Sequence, residues 1–393
     1  MKLGNVVRSV AGGRFRISAT LELDTQGRVF KATGTPVIEL WFDWREDYYC
    51  PDTVHIDPFV LVCLPLAMSL GEPLKVEGSV SQDLLVNLLE VMAVYKTFFP
   101  KTCDVIDVRA QGVARPLIDT TRVGSFFSGG VDSLYNIAEM RRLNKVYGSR
   151  SVTDLWLVQG MDIALDQDAL WEETKARIFD QVRPEDGLRF VDVRTNARQV
   201  HDRYVDWRDL GFSCILGGIA KCFAPIVSSA LIGSYARYAD LIPHCSSPMV
   251  DPLWSCDQQR IRHFSCRVDR QEKIDTVVSE TPHLLEGLRV CYKNTKGTYN
   301  CGVCEKCMRT QAQLLIGGYQ SLVNTFDQPL TAERLERLKL PWRRAFGSTW
   351  SFWREVEQGL RQKGEAELSL GLSRALSRNR RVRFLKRAVR WER

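Results

Sequence analysis

The chain has 393 residues, of which 45% are hydrophobic and 26% charged, a composition typical of globular proteins. A chain of this length rarely forms one core, so we expect two domains followed by a further C-terminal segment. No apolar run reaches the roughly 18 residues that cross a bilayer, and the N-terminus lacks the apolar core of a signal peptide. These features argue against a membrane span and predict a cytoplasmic protein.

The first part of the chain, residues 1–118, is predicted to be an α+β N-terminal domain of unknown role. Apolar and polar residues alternate in "FRISATLEL" (15–23), which predicts a half-buried strand. "VIELWFDW" (37–44) is its expected partner. Helices are predicted at 57–70 and 82–99. Further strands are predicted near "LKVEG" and at "CDVIDV" (103–108).

From residue 119 the pattern becomes an alternation of strands and helices. Strands are predicted at "RVGSFF", 154–163, 188–195 and 228–235, with helices at 134–146, 166–182 and 214–226. This alternation predicts an α/β fold, a Rossmann-like parallel sheet with helices on both faces. We assign it to residues 119–325 and expect ligands at the carboxyl ends of its strands. Residues 326–393 are predicted to be a helical region ending in a basic tail.

The stretch "SGGVDS", Ser128 to Ser133, lies between the first of these strands and the first helix. Two glycines let a ligand approach the backbone, and a helix N-terminus attracts anions. Asp132 would repel phosphate, so it is expected either to meet it through Mg²⁺ or to cap the helix. The alternative is a structural Gly-Gly turn without a ligand.

This hexapeptide resembles the PP-loop of the N-type ATP pyrophosphatases, which cleave ATP between its α and β phosphates. The resemblance implies ATP and Mg²⁺ as cofactors. It implies that the pyrophosphate end of ATP is held by Ser128, Gly129, Gly130, Val131, Asp132 and Ser133. It also implies that Gly160 and Asp162, at the end of the second strand, lie near the adenosine.

Twelve cysteines occur in the chain, and four of them crowd into one short segment: Cys291, Cys301, Cys304 and Cys307. Thiolates at this C-x₂-C spacing, with one more from upstream, suit a structural Zn²⁺ with four sulfur ligands. An iron–sulfur cluster takes the same ligands. Four buried thiols without a metal are the third interpretation.

A PP-loop followed by such a cysteine motif resembles 7-cyano-7-deazaguanine synthase, over about residues 123–318. That resemblance implies an ATP-dependent, AMP-forming ligase that adenylates a small-molecule carboxylate and transfers it to ammonia or an amine. The product would be an amide or a nitrile. The chain departs from that family in its long segments before the loop and after the cysteines, and the family's substrate-binding residues have no match here.

Several polar residues between the two motifs are weaker candidates. We assign catalytic roles to Asp132, Ser133, His244 and Arg270, the last as a cation that stabilises departing pyrophosphate. Other candidates are Asp251 for proton transfer, Arg262, His263 and Lys273 as cations, and Arg194 and Asn196 after the third strand. The alternatives are a proline-rich loop with polar caps and a solvated helix face.

The basic character of the chain is concentrated in its C-terminal tail. Residues 374–393 carry nine Arg or Lys and one Glu, about +8, whereas the whole chain carries +7, so the rest sums to about −1. Arg380, Arg383, Arg387 and Arg390 would share one helical stripe, and Val382, Leu385 and Val389 another. Such a helix binds RNA, an acidic partner or a membrane surface, or packs on its own domain.

Two rival functions follow from the same features. A PP-loop enzyme that modifies tRNA would use the basic tail, although the rest of the chain has no excess of positive charge. A nucleotide-binding or partner-binding protein without turnover is the other. The sequence leaves the oligomeric state open, a homodimer included.

Overall fold

The computed structural model describes residues 1–24, 37–114, 120–183, 186–295, 297–340 and 346–391, and these contain ten strands and eleven α-helices. The strands are β1 (Lys2–Ala11), β2 (Arg14–Glu22), β3 (Val37–Arg45), β4 (Leu74–Ser81), β5 (Val108–Ala114), β6 (Val123–Phe126), β7 (Asp154–Gln159), β8 (Arg189–Thr195), β9 (Ser229–Gly233) and β10 (Arg260–Phe264). The helices are α1 (Asp57–Leu70), α2 (Gln82–Phe98), α3 (Val131–Tyr147), α4 (Asp168–Gln181), α5 (Ala197–Tyr204), α6 (Phe212–Cys222), α7 (Arg270–Glu280), α8 (Glu305–Gly317), α9 (Ala332–Glu336), α10 (Phe346–Lys363) and α11 (Ala366–Trp391).

All ten strands form one mostly parallel sheet in the order β10-β9-β6-β7-β8-β3-β2-β1-β4-β5. The five strands from β10 to β8 are parallel to one another. The chain runs from β6 outward to β8 and then returns to β9 on the other side of β6. Such a reversal opens a crevice at the carboxyl ends of the two central strands, where ligands bind in sheets of this kind. The predicted α/β, Rossmann-like class is therefore confirmed.

The strands before residue 118 continue this sheet. β3 pairs with β8 in antiparallel orientation, with Phe42 opposite Thr195 and Trp44 opposite Val193. One large hydrophobic cluster contains residues from both parts of the chain, from Met1 to Ile261. The predicted boundary between residues 118 and 119 lies within the undescribed range 115–119. The sheet and the core run continuously past it.

Successive residues of β7 show how helices come to cover both faces of the sheet. Trp156 packs into the cluster that holds α1 and α6, whereas Leu155 and Leu157 pack into a second cluster with α3, α4 and α7. Because successive side chains of a strand point to opposite faces, an unbroken apolar run requires cover on both sides.

The C-terminal helices form a third, smaller cluster, in which α8, α9, α10 and the first part of α11 pack together. Beyond Asn379 the described side chains of this helix no longer pack in the core: Arg380 and Arg381 are exposed, Val382 is 41% exposed and Phe384 is 73% exposed. The predicted helical C-terminal region is present. The side chains that complete the two predicted stripes lie outside the described residues: Arg383, Leu385, Arg387, Val389 and Arg390.

Several features of the fold differ from the sequence prediction. Residues 103–107 are not a strand, because β5 begins only at Val108, and the "RIRHF" segment is the edge strand β10. A short segment of mixed polar and apolar residues becomes a strand only where a neighbouring strand is free to pair with it. The local sequence pattern does not show whether such a neighbour exists. Among the described residues, no helix is both long and apolar enough to cross a membrane.

Candidate functional site

The loop between β6 and α3 lies at the carboxyl edge of the sheet, where the strand order reverses. Gly129 has a φ of +73°, a left-handed conformation that favours glycine. Helix α3 starts at Val131 without a side-chain cap. The Ser133 hydroxyl donates to the Gly130 carbonyl oxygen at 2.8 Å and so does not accept from the first N–H groups of the helix. The first N–H groups of α3 are thus left without the side-chain partner that usually satisfies them.

The loop is held from the other side by Arg289. Its backbone N–H donates to the Gly129 carbonyl at 2.9 Å, and its guanidinium donates to Asn294 at 2.6 Å. The buried Nε of Arg289 has no hydrogen-bond partner within the described part of the chain. Arg289 therefore combines a structural bond to the loop with an unused donor beside it.

Asp132 makes ion pairs with two basic residues of α7. One carboxylate oxygen accepts from the Lys273 ammonium at 2.7 Å and the other from the Arg270 guanidinium at 3.2 Å. Burial would raise the pKa of Asp132, but the charges of Lys273 and Arg270 outweigh it and lower that pKa to about 2. Asp132 is therefore ionised at neutral pH. It does not cap α3, so that alternative for its role is wrong.

Lys273 is the most deeply buried of these cations, with a side chain only 2% exposed. Its ammonium also donates to the Ser234 carbonyl at 2.6 Å, just after β9. Arg270 reaches Thr310 of α8 at 3.3 Å. A buried ammonium needs hydrogen-bond partners, and Asp132 and Ser234 supply them to Lys273 at the end of the central strands.

A cavity of about 380 Å³ opens directly above this cluster. It is lined by the loop residues Ser128, Asp132 and Ser133 and by three further cations, Arg208, Arg289 and Lys306. Apart from Asp162, Gly233 and His244, its other lining residues are apolar and aromatic: Phe126, Phe127, Trp156, Leu157, Val158, Met161, Ile163, Trp207, Phe212, Leu216 and Ile232. A mostly apolar cleft with a few converging polar groups is the usual form of a small-molecule site.

A tight turn at the end of β7 brings Met161 and Asp162 to the cavity wall. The Gly160 N–H donates to the Ile163 carbonyl at 2.7 Å, and Gly160 has a φ of +91°. Gly160 itself does not line the cavity; it allows the turn, whereas Asp162 is a lining residue. Of the two residues predicted to lie near the adenosine, Asp162 lines the cavity, whereas Gly160 only shapes the turn that places Asp162 there.

Replacing Gly160 with alanine is expected to destabilise the protein by about 2–4 kcal/mol. The added Cβ would lie 1.9 Å from the Thr195 carbonyl oxygen, so β7 and β8 would have to separate. Gly148→Ala is the matched control, because Gly148 also has a positive φ, +65°, but open space around it. Urea unfolding of both variants measures the difference. Equal losses of stability would show that the close approach to Thr195 is unimportant.

The four predicted metal ligands form one buried cluster: Cys291, Cys301, Cys304 and Cys307, whose sulfur atoms all lie within 4.8 Å of one another. In a tetrahedral zinc site the sulfur atoms are about 3.8 Å apart, and the Cys301 and Cys307 sulfurs are separated by 4.0 Å. This donor set fits a metal ion such as zinc. All twelve cysteines of the chain are free thiols.

Residues around the cysteines preshape this cluster. The Cys304 N–H donates to the Cys301 sulfur at 3.3 Å. Gly302, with a φ of +72°, lies so close to Gln328 that a Cβ would be 2.1 Å from its carbonyl oxygen. The buried Asn300 side chain accepts from the backbone N–H of Cys291 at 3.0 Å. It thereby joins this upstream ligand to the segment that carries the other three ligands, residues 301–307, which we call the cysteine knuckle.

Lys306 stands between the ligands Cys304 and Cys307 and lines the cavity, so the cysteine knuckle determines where this cation lies. Lys306 and Arg289 are functional candidates that the sequence patterns did not reveal. The only available signal for Lys306 was a lysine inside the ligand spacing, and a lysine there is usually a solvated side chain.

Of the weaker candidates, His244 lines the cavity, whereas Asp251 lies beneath it. Burial lowers the pKa of His244 to about 4, so its ring is uncharged at neutral pH. Asp251 is fully buried and accepts hydrogen bonds from Ser213 at 2.5 Å and Ser246 at 2.7 Å.

His263 donates to the same carboxylate, with 2.7 Å between its Nδ1 and Asp251. Burial would lower the pKa of His263, but the hydrogen bond to Asp251 outweighs it and raises that pKa to about 9. Asp251 and His263 therefore form an internal ion pair that supports the loop after β9.

The remaining candidates are positioned away from the cavity. Arg194 pairs with Asp43 of β3 at 3.1 Å, and the Asn196 side chain donates to the Glu39 carbonyl at 2.7 Å. Both join β8 to the N-terminal strands. Arg262 lies on β10 against the ring of Phe264.

Comparisons with models of known protein families, with curated proteins and with solved structures gave no match to this chain.

Proposed function

We propose that this protein is an ATP-dependent, AMP-forming ligase that activates a carboxylate. The observation that carries the proposal is the uncapped N-terminus of α3 beside the Asp132–Lys273–Arg270 cluster, at the floor of a cavity where the strand order reverses. A helix N-terminus with basic side chains around it binds the phosphates of a nucleotide.

The charges around the loop suit the end of ATP that leaves. Lys306 and Arg289 line the cavity, and Lys273 and Arg270 lie directly behind Asp132. Two carboxylates, Asp132 and Asp162, line the same cavity, so these four cations leave an excess of positive charge for the β and γ phosphates. Cations held in place before the reaction stabilise the negative charge that develops on pyrophosphate.

Asp132 acts in this proposal as a positioning residue. Both of its oxygens are already engaged by Lys273 and Arg270, so we place Mg²⁺ on the phosphates of ATP and not on this carboxylate. When bound there, Mg²⁺ would neutralise phosphate charge. The Ser128 hydroxyl would donate to a phosphate, whereas the hydrogen of the Ser133 hydroxyl is already donated to the Gly130 carbonyl.

The reaction we propose has two steps. An oxygen of the substrate carboxylate attacks the α phosphorus of ATP, the bond to the bridging oxygen breaks, and pyrophosphate leaves. Ammonia or an amine then attacks the acyl carbon of the adenylate, loses a proton and releases AMP, which yields an amide. The resemblance to 7-cyano-7-deazaguanine synthase adds a nitrile as an alternative product, for which a second ATP would adenylate the amide oxygen so that it leaves as AMP with loss of two protons from nitrogen. The protein contributes position and charge in both steps.

The first test is incubation of the purified protein with α-labelled ATP, Mg²⁺, ammonia and a panel of carboxylates that includes 7-carboxy-7-deazaguanine. We expect AMP and pyrophosphate from the wild type with one class of acid, and none from Asp132→Ala. Circular dichroism would establish that the variant is folded. ADP as the product, or equal AMP from both proteins, would contradict the proposal.

A tRNA-modifying enzyme with the same loop is the second candidate, because Arg380 and Arg381 are exposed at the end of α11. That function predicts tRNA binding that weakens steeply with salt and is lost on deletion of residues 380–393. A binding protein without turnover would bind ATP and form no AMP with any acid or tRNA.

A further inference from the structure

The cavity has a second polar group apart from the phosphate-binding loop. Trp207, Arg208, Phe212 and His244 all line it, and the three ring side chains contact in series: the rings of Trp207 and Phe212 are 6.1 Å apart, and those of Phe212 and His244 are 5.5 Å apart. We call these four residues the Arg208 wall. It comes from the segment between α5 and α6 and from the loop after β9.

Arg208 is the charged member of this wall. Its side chain is 45% exposed, and the nearest acidic atom is an Asp209 oxygen at 3.9 Å from Nε. Within the described residues, its guanidinium donates no hydrogen bond. Arg289, which lines the same cavity, instead donates to Asn294. Five N–H donors in a planar fork are thus available at the cavity surface, and this fork matches the two oxygens of a carboxylate.

His244 adds no charge beside Arg208, because it is uncharged at neutral pH, whereas its ring adds apolar surface. Trp207 and Phe212 complete this surface, and a ligand body packed on these rings would shield the guanidinium from water. An ion pair in such surroundings is stronger than one on an open surface.

The wall is held in one conformation. Trp207–Gly211 is a π-helical turn, and the Asp206 carboxylate caps it by accepting from the N–H groups of Arg208 and Asp209 at 3.0 and 2.9 Å. The guanidinium of Arg198 lies 4.3 Å from the centre of the Trp207 ring. Turns of this type are rare and occur frequently at functional sites, where they place a side chain that a regular helix would turn elsewhere.

We propose that Arg208 is a specificity-determining residue: it binds an anionic group of the acid co-substrate, whose apolar body packs against Trp207 and Phe212. This inference rests on the proposed ligase function, because only a second substrate beside ATP requires a second anion site. The loop cations receive the phosphates, and Arg208 receives the acid. The co-substrate is therefore an organic acid with an apolar, ring-sized body.

Binding can be tested separately from turnover. The probes are indole-3-carboxylate and indole-3-carboxamide, which differ in charge but little in shape, and dissociation constants are measured by calorimetry without ATP. We expect the wild type to bind the acid roughly 10- to 100-fold more tightly than the amide, the range for a charge-assisted hydrogen-bonded pair. Arg208→Gln should abolish this preference and leave ATP affinity within twofold, and Arg208→Lys should keep part of the preference.

The matched control is Arg203→Gln, an exposed arginine at the end of α5 that does not line the cavity. It should retain the full preference for the acid. Equal binding of acid and amide by the wild type would overturn the inference, and so would an Arg208→Gln variant that loses affinity for ATP and not for the acid. A protein that prefers the acid but forms no AMP would contradict the ligase and leave the subsite standing, so the two failures are distinguishable.

Discussion

Replacement of Lys306 by methionine is expected to lower the rate of AMP formation by roughly 10²- to 10³-fold, the usual loss when one preorganised charge-stabilising group is removed. Lys306 is exposed to the cavity, and its ammonium contributes to the low pKa of Asp132 in the loop. Methionine keeps the length and the apolar stem of the side chain but removes the charge. The free energy of unfolding should therefore change by less than about 0.5 kcal/mol.

Lys293→Met is the matched control for this experiment. The ammonium nitrogens of Lys293 and Lys306 lie 5.5 and 5.7 Å from the centre of the Tyr292 ring. Of these two lysines, only Lys306 lines the cavity. Steady-state kinetics of both variants at saturating acid give the comparison. A Lys306→Met enzyme with unchanged kcat and KM for ATP would remove this cation from the proposed mechanism, and a slow Lys293→Met enzyme would point to a general charge effect.

Removal of the metal is expected to have the second large effect, on stability and on ATP binding together. We expect about one zinc per chain by elemental analysis, and a loss of about 3 kcal/mol or more in the free energy of unfolding on chelation or in Cys304→Ser. ATP affinity should fall at the same time, because Lys306 lies between two of the ligands and Arg289 joins the same segment to the loop through Gly129.

Cys50→Ser is the control for thiol chemistry, because Cys50 is an exposed free cysteine outside the cluster. It should retain its metal, its stability and its affinity for ATP. Iron and inorganic sulfide with visible absorbance would identify an iron–sulfur cluster in place of zinc. Metal-free protein with an unchanged melting temperature and unchanged ATP affinity would mean that the four cysteines pack as thiols and do not support the site.

Much of the fold could be predicted from local patterns. The helix predicted at 57–70 has the same bounds as α1, and the strands predicted at 15–23 and 37–44 agree with β2 and β3 to within one residue. A continuous apolar run indicates a segment that is buried on both faces, and alternation indicates a strand that is buried on one face. Burial in turn dominates whether a segment forms a helix or a strand. The strand β1 and the edge strand β10 were missed, because short segments with weak patterns depend on neighbours that are distant in sequence.

The candidate site divides in the same way. Its loop and its cysteines could be found because their residues are contiguous or closely spaced, and their chemistry depends on that spacing. Arg208, Arg289 and Lys306 could not be found, since each comes from a different segment and is individually an ordinary basic residue. Lys273 and Arg270 were weak candidates until α7 was seen to place both on Asp132.

The sequence alone determined the α/β class, the glycine-rich turn at a helix start and the four-thiol cluster, because short-range sterics, hydrophobic periodicity and ligand spacing are properties of neighbouring residues. Only the tertiary structure decided that the N-terminal strands extend the same sheet, that Asp132 pairs with two cations instead of capping its helix, and that the cysteine knuckle delivers Lys306 to the cavity. These outcomes depend on ion pairs and strand pairings between distant segments, such as Arg194 with Asp43, 151 residues apart, and Arg14 with Asp192, 178 residues apart. Charges separated so far along the chain interact only once the sheet has brought them within a few ångströms, where burial makes their attraction strong.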